Sequence, residues 1–335
     1  HEPARDPRFA LDGLDVNLAN LLVIPLATQA RTLGCLTIVN SAGATFTARD
    51  QDVLTTIAGL AGIAVENALL HRAALEKERY REQLRLAGEI QKKLLPAGAP
   101  EVPGLVLHGW TAPCDDTGGD YYDFFPLDGG RVAFCVGDVS GHGIGAALLM
   151  TTARAFLRAY VGLIPDLGQL FARLNDRLAP DMGGDRFITL LFGVLDPRAG
   201  TFVYTSAGHD PPLLHRRAAD TFELLDSTGL PLGMVEGMEF PPVTILGLGA
   251  GDLLLALTDG VVEAMNPAHE EFGRERVLEI VRTHPDAAPA ELIATIQSAA
   301  KEFCGGAAPR DDWTMVAIRA TSAMGAGEPA SRDQA

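Results

Sequence analysis

Four aspartates stand at the ends of predicted strands, where their carboxylates could share one site. Asp138 ends the apolar run "VAFCVG", and Asp259 follows the apolar run "LLLALT". Asp311 comes just before the strand-like "WTMVAI", and Asp120 lies between a glycine pair and the aromatic "YYDFF". Carboxylates brought close together repel and raise one another's pKa unless a cation sits between them. The pattern therefore predicts that these four aspartates gather around metal ions.

The predicted ligand atoms are all oxygens, which favours Mg²⁺ or Mn²⁺ over zinc. Gly141 and Gly143 would let the backbone after Asp138 bend close to an ion. The main-chain carbonyl of Val139 can then help to bind the ion or a bound water. Any one aspartate taken alone is better explained as a turn residue, so the prediction depends on all four occurring together.

Composition limits the classes of function. The chain has 335 residues, 47% of them hydrophobic, which is enough for two domains with buried cores. Its net charge of −16 makes nucleic acid an unexpected partner, because no basic surface is available to neutralise phosphates. No apolar run approaches the roughly 20 residues needed to cross a bilayer, so no membrane segment is expected. The four cysteines form no CxxC pair, which is typical of a reducing cytoplasm.

Local patterns divide the chain into parts. The strand-like runs "LLVIPL" and "CLTIVN" predict a hairpin, and Thr47 with Asp50 resembles a capping box that begins a long helix. The last residues are small and polar without a period, which predicts a disordered tail. The expected parts are an N-terminal α/β segment over 1–70, a helical linker over 71–97, a main domain over 98–320 and the tail over 321–335.

The predicted linker has a partial heptad pattern. Tyr80, Leu84, Ala87 and Leu94 fit a seven-residue apolar repeat. Lys77 and Gln91 fall in the same stripe and weaken it. The pattern fits a homodimer seam and a solvated connecting helix equally well.

The main domain alternates strand-like runs with a few helices, predicted at 145–163, 166–179 and 288–303. Most predicted strands follow one another without a crossover helix, which favours antiparallel pairing. Two sheets with helices outside would bury the apolar faces. The expected class is α+β.

Seven blocks along this domain resemble a known family. In order they are "PCDDTGGDYYDFF", "VAFCVGDVSGHGIGAALLM", "RFITLLFGVLD", "YTSAGHDPPLL", "LPLGM", "LLALTDGVVEA" and "PRDDWTMVAI". They resemble the bacterial SpoIIE class of metal-dependent protein phosphatases, relatives of protein phosphatase 2C, over about residues 88–320. The resemblance implies a four-layer α-β-β-α sandwich with two divalent cations, Mn²⁺ or Mg²⁺.

The resemblance also assigns roles to the candidate catalytic and metal-binding residues. Asp120 would bind one ion, and Asp138 would bridge both. Asp259 and Asp311 would hold the other ion, with the Val139 carbonyl assisting. Two cations held in this way can bind a phosphate oxygen and lower the pKa of a shared water, so no protein nucleophile is needed.

The function that the resemblance implies is a cytoplasmic phosphoserine/phosphothreonine phosphatase under sensory control. Its substrate would be a phosphorylated regulator of the anti-anti-sigma type. The residues themselves leave two alternatives open. One is a non-catalytic signalling or binding module with the same fold, and the other is a hydrolase of small phosphoesters.

Other polar residues near these motifs receive weaker assignments. His142 is the nearest candidate for a general acid, and His209 is expected to fix a turn. The family more often has asparagine where this chain has Asp210. Asp312 and Asp123 are expected either to support the ligands or to be structural. No arginine matches a phosphate-binding position, so the metals would hold the substrate phosphate.

The first 70 residues resemble the C-terminal half of a GAF sensor domain, through the two strands and the helix "FTARDQDVLTTIAGLAGIAVENALL". A complete GAF domain is longer, and the part that forms most of its pocket has no counterpart here. We therefore expect a partial GAF-like α/β segment without a cyclic-nucleotide or haem site.

Overall fold

The computed structural model describes residues 19–43 and 45–325. These residues belong to two compact units, of which the first ends at Gln83 and the second begins at Leu84. The predictions for residues 1–18, and the disordered tail from residue 326 onward, lie outside the described residues.

The first unit contains the predicted hairpin and most of the long helix. Strand β1, Leu21–Ala27, pairs antiparallel with β2, Thr32–Val39. Helix α1, Ala48–Lys92, begins at the predicted capping box and continues into the second unit. The Thr47 hydroxyl donates to Asp50 Oδ2 (2.7 Å) and accepts the Asp50 backbone N–H (3.2 Å). This reciprocal pair fixes the start of the helix.

Helix α1 is, within residues 19–43 and 45–325, the helix long and apolar enough to cross a membrane. This finding differs from the expectation that no apolar run has that length. The reason is that alanine, leucine, isoleucine and valine dominate the N-terminal half of this helix, and few charged residues interrupt them. Length and composition alone do not separate a spanning helix from the core helix of a soluble protein.

The second unit contains ten strands, five complete α-helices and the C-terminal end of α1. The strands are β3 Leu105–Ala112, β4 Tyr121–Leu127, β5 Arg131–Val139, β6 Ile188–Asp196, β7 Thr201–Ala207, β8 Leu213–Arg216, β9 Thr221–Leu224, β10 Val243–Leu246, β11 Leu253–Leu257 and β12 Trp313–Ala320. The helices are the C-terminal end of α1 and α2 Ile144–Tyr160, α3 Leu167–Leu178, α4 Asp259–Val262, α5 Arg274–Thr283 and α6 Pro289–Phe303. Helices α2, α3 and α6 lie where the sequence predicts them. The sequence does not predict helix α5, because half of its ten residues are charged and its fully buried residues are only Val277 and Val281.

The strands form two five-stranded sheets that are antiparallel throughout, as expected. One sheet has the order β10-β7-β6-β5-β4 and the other β3-β12-β11-β8-β9. Buried side chains from both sheets, such as Phe134, Phe202 and Val316, form the core between them. Helices α2 and α3 cover the outer face of the first sheet, and α5 and α6 cover that of the second. The unit is therefore the predicted α-β-β-α sandwich.

Candidate metal centre

The four predicted aspartates lie at strand ends in both sheets. Asp120 immediately precedes β4 and Asp138 is the penultimate residue of β5, at the same end of the first sheet. Asp259 follows β11 as the first residue of α4, and Asp311 comes two residues before β12. Each sheet thus contributes two carboxylates.

Hydrogen bonds link the two sheets at this end. The Thr258 hydroxyl, next to Asp259, donates to Asp120 Oδ2 at 2.8 Å. The backbone N–H of Thr314 donates to the same Thr258 hydroxyl oxygen at 3.0 Å. The ends of β4, β11 and β12 are therefore held together around Asp120, which is almost fully buried.

The pKa shifts of Asp120, Asp138 and Asp259 show that neighbouring carboxylates at this site repel one another. Burial raises the pKa of Asp138 to about 7, with further repulsion from Asp259 and Asp311. Burial and then repulsion from Asp138 raise the pKa of Asp120 well above its ordinary value. Burial is the largest cause that raises the pKa of Asp259, and repulsion from Asp311 is the next. The structure thus brings the predicted residues into one electrostatic cluster.

The carbonyl oxygen of Val139 lies close to the backbone of Gly119. A Cβ built on Gly119 would lie 2.9 Å from that oxygen, so Gly119 permits the close approach of the two backbone segments. Gly119 immediately precedes Asp120. The Val139 carbonyl is therefore close to the loop that carries one of the predicted ligands.

Asp312 holds the loop that carries Asp120. Its buried carboxylate accepts backbone N–H bonds from Cys114 (2.7 Å), Gly119 (2.6 Å) and Asp120 (3.3 Å). Charge-assisted bonds of this kind are among the stronger ones in proteins. Of the two roles expected for Asp312, the contacts favour support of the ligand loop.

Asp123 has a structural role. It is fully buried and accepts hydrogen bonds from Arg158 Nε (2.7 Å) and Nη2 (2.8 Å) and from the Tyr121 hydroxyl. Arg158 lies on α2, so the ion pair fixes that helix against β4.

A tighter group of possible ligands includes a cysteine that the sequence did not predict. Cys114 Sγ and carboxylate oxygens of Asp311 and Asp312 lie within 4.8 Å of one another. Among the described residues, no other group of three or more His, Cys, Asp or Glu side chains is as close together. Burial and the neighbouring acids raise the pKa of Cys114 to about 12, which disfavours the thiolate. Both Asp312 oxygens already accept N–H bonds. The four predicted carboxylates are less closely grouped but better suited to a cation.

These observations fit a site for hard divalent cations. Carboxylates that raise one another's pKa form a site without a neutralising cation, and their oxygen donors suit Mg²⁺ or Mn²⁺. The acidic cluster can therefore bind a divalent metal.

The two histidines near the cluster differ in environment. Burial lowers the pKa of His209 to about 4, so its ring is neutral near pH 7. His209 Nδ1 lies 2.9 Å from the Thr189 hydroxyl and ties its loop to β6, which agrees with the expected turn-fixing role. His142 is exposed, and its Nδ1 lies 3.1 Å from Asp115 Oδ2.

One cation beside the cluster was missed by sequence analysis. Arg274, at the start of α5, places Nη2 3.3 Å from Asp210 Oδ2. Asp210 is close enough to Asp259 to raise its pKa. Arg274 and Asp210 are 64 residues apart, and α5 itself was not predicted, so no local signal could have indicated this pair.

The C-terminal end of α1 contacts the ligand loop. The Gln91 amide donates to the Gly118 carbonyl (2.6 Å) and accepts the Gly118 N–H (3.0 Å). One turn earlier, a Cβ built on Gly88 would overlap the carbonyl oxygen of Asp116. Gln91, which interrupts the heptad stripe, therefore binds the loop two residues before Asp120.

We predict that Gly88→Ala lowers metal-dependent activity by about 10-fold and raises the Mn²⁺ concentration needed for half-maximal activity. The added methyl group must displace residues 116–120 and hence Asp120. Gly59→Ala in the same helix is the matched control, because a Cβ at Gly59 meets nothing within 4 Å. Mn²⁺ titrations of the two variants check this prediction, and equal behaviour of both would contradict it.

Two protein-family models match parts of this chain. The family model described as Stage II sporulation protein E (SpoIIE) matches residues 128–321. The chain belongs to the SpoIIE family. A GAF domain model matches residues 1–66, in agreement with the resemblance of this segment to a GAF sensor.

Several curated proteins are similar to this SpoIIE-family chain. Protein IcfG of Synechocystis sp. is 29% identical over 265 residues, which cover 71% of this chain and 41% of IcfG. Phosphoserine phosphatase RsbU of Bacillus subtilis is 24% identical, covering 72% of this chain and 71% of RsbU. Phosphoserine phosphatase RsbP of the same species is 29% identical, covering 63% and 51%. The matched part of the chain thus spans about half the length of IcfG and RsbP.

Solved structures share the fold. The SiaA-PP2C domain of Pseudomonas aeruginosa has a TM-score of 0.64 at 20% identity, covering 73% of this chain and 99% of that domain. The RsbU and RsbW domains of Rv1364c from Mycobacterium tuberculosis give 0.58 at 27% identity, covering 68% and 64%. These similarities confirm the PP2C-like sandwich of the SpoIIE-family domain.

Proposed function

We propose that this chain is a metal-dependent serine/threonine protein phosphatase. The observation that carries the proposal is the cluster of four carboxylates, to which both sheets contribute. Burial and repulsion between neighbouring carboxylates raise the pKa values of Asp120, Asp138 and Asp259. Membership of the SpoIIE family and the names of RsbU and RsbP as phosphoserine phosphatases support it.

In this proposal the predicted ligands hold two cations, Mn²⁺ or Mg²⁺. Asp120 would hold one ion, Asp138 would contribute to both, and Asp259 and Asp311 would hold the other. The Val139 carbonyl assists. When bound, the cations polarise a phosphoryl oxygen and lower the pKa of water. Thr258 orients the Asp120 carboxylate through its 2.8 Å hydrogen bond.

The substrate in this proposal is a phosphoserine or phosphothreonine of a cytoplasmic regulator of the anti-anti-sigma type, as the family resemblance implies. Residues 98–320 form the catalytic domain, and the GAF-like segment controls it through the linker over 71–97. The contacts of Gly88 and Gln91 with the ligand loop support this route. Large exposed apolar side chains on α1, including Leu60 and Leu75, support a homodimer through that helix.

The deciding experiment measures phosphate release from a phosphoserine protein with Mn²⁺ and with a chelator. We expect release only with Mn²⁺, and a loss of several kcal/mol of transition-state stabilisation in Asp259→Asn, which is roughly 10³-fold in rate. Asp128→Asn, at an exposed turn, is the matched control and should retain full activity. No Mn²⁺-dependent release by the wild type would favour the binding-module alternative.

The same assay with p-nitrophenyl phosphate separates the second alternative. A protein phosphatase should have a higher kcat/KM for the phosphoprotein than for the small ester, because only the protein contacts residues outside the metal centre. The opposite order would favour a hydrolase of small phosphoesters.

A further inference from the structure

We propose that Arg274 binds the phosphoryl oxygens of the substrate and that Asp210 orients its guanidinium group. The inference rests on the proposed function and adds a protein cation to a centre otherwise formed by carboxylates. It differs from the expectation that the metals alone hold the substrate phosphate.

A series of contacts through the first sheet leads from the metal centre to Arg274. Asp138 on β5 is paired with Thr189 on β6. The Thr189 hydroxyl lies 2.9 Å from Nδ1 of His209, which immediately precedes Asp210. Asp210 Oδ2 in turn lies 3.3 Å from Nη2 of Arg274.

A second, independent series of contacts runs through the other sheet. Asp259 begins α4, which ends at Val262. The carbonyl of Val262 accepts the backbone N–H of Gly273 at 2.8 Å, and Gly273 immediately precedes Arg274. The start of α5 is therefore fixed against the short helix that carries Asp259. The first series places the Arg274 guanidinium beside Asp210, which is close enough to Asp259 to raise its pKa, and the second places the start of α5 beside the helix that carries Asp259.

The guanidinium group keeps donors available for a ligand. Arginine has five N–H donors, and Arg274 uses one of them in a single ion pair of 3.3 Å. No other hydrogen bond of its side chain is present in the part of the chain that the structure describes. By contrast, Arg158 makes two short bonds to buried Asp123. Arginine with free donors is well suited to bind phosphate oxygens in pairs.

Exposure supports the same role. The Arg274 side chain is 29% exposed and that of Asp210 is 36% exposed, so solvent and ligands reach both groups. Exposed ion pairs of this kind contribute little to stability. The pair is therefore better explained by what the guanidinium contacts when substrate is bound than by folding. The rival explanation is that Arg274 only neutralises Asp210, which would otherwise repel a phosphate.

A double-variant comparison distinguishes these two roles. Arg274→Met, Asp210→Asn and the double variant are compared in the full chain loaded with Mn²⁺. Equilibrium binding of inorganic phosphate and of a phosphoserine peptide is measured, together with KM and kcat for the peptide. Arg282→Met on the same helix is the matched control, because Arg282 pairs with Glu279 and Asp220 instead.

We expect Arg274→Met to weaken binding of both phosphate and peptide by roughly 10-fold or more, the range of a hydrogen bond to a charged group. KM should rise more than kcat falls, and the loss should persist in the Asp210→Asn background. Arg282→Met should bind both probes like the wild type.

Four results would overturn the inference. The first is recovery of binding in the double variant, and the second is an Arg274→Met variant that binds the peptide more weakly but binds phosphate normally. The third is an Arg274→Met variant that needs more Mn²⁺ but has unchanged phosphate affinity. The fourth is a wild type that does not bind phosphate. Absence of peptide hydrolysis by a wild type that binds phosphate would refute the proposed function alone, because the binding measurement needs no turnover.

Discussion

Asp138→Asn is expected to abolish phosphatase activity and at the same time to stabilise the protein when cations are removed. An amide cannot replace the carboxylate that is proposed to bridge two cations. The loss should be roughly 10³-fold or more, equivalent to about 4 kcal/mol of transition-state stabilisation. Phosphate release from a phosphoserine protein at saturating Mn²⁺ measures it.

The stabilising effect follows from the raised pKa of Asp138. In the folded protein without cations this carboxyl has a pKa of about 7, against 3.8 as its ordinary value. Between these values the folded state binds more protons than the unfolded chain, so the free energy of unfolding falls as pH rises through this window. Above it the full cost of the buried charge is present. Asparagine carries no charge and avoids that cost.

Thermal unfolding in a chelator at about pH 8 tests whether the Asn variant is more stable than the wild type. The Asn variant should melt ~3 °C or more above the wild type, given about 2–4 °C per kcal/mol for a domain of this size. The difference should disappear near pH 4, where both forms are uncharged. With saturating Mn²⁺ the order should reverse, because only the wild type gains the full binding energy of the cations. A lower melting temperature for the variant in chelator at the higher pH would refute the account.

Arg158→Met is expected to lower the free energy of unfolding by about 3 kcal/mol. The substitution keeps most of the apolar stem of the side chain but leaves Asp123 buried without its cation. Asp123 is fully buried and would retain only the Tyr121 hydroxyl and the Phe124 N–H as donors. An uncompensated buried charge is among the most destabilising changes in a folded protein.

Urea denaturation of three variants tests the cause of this loss. Arg173→Met is the control, because Arg173 is an exposed residue of α3 without a partner among the described residues. It should change the free energy of unfolding by less than about 0.5 kcal/mol. The double variant Asp123→Asn/Arg158→Met should recover part of the loss, because the buried charge is gone. A double variant less stable than Arg158→Met would show that packing, and not charge, accounts for the effect.

Much of the fold could be predicted because its signals are local. The apolar runs around Val136 and Leu255 predict buried strands, and both lie in the sandwich as expected. The Thr47–Asp50 capping box needs only a separation of three residues, and its hydrogen bonds are present. Helix α5 was not predicted because its apolar face is narrow and lies among charged residues. That face is recognisable only from its packing against the second sheet.

The supporting contacts of the metal centre could not be predicted in the same way. Gln91 weakens the heptad stripe in the sequence, yet in the structure it binds the backbone of Gly118, 27 residues away. Asp312 holds Gly119 across 193 residues. Such contacts depend on how the sheets pack, and the sequence near each residue contains no trace of its partner.

The sequence by itself determined which residues are candidate ligands, because carboxylates at strand ends and the order of the motifs are visible along the chain. The tertiary structure decided which carboxylates lie close together, that burial and repulsion raise the pKa of Asp138 to about 7, and that Arg274 pairs with Asp210 beside them. The physical reason is that desolvation and Coulomb repulsion depend on distances between segments far apart in sequence.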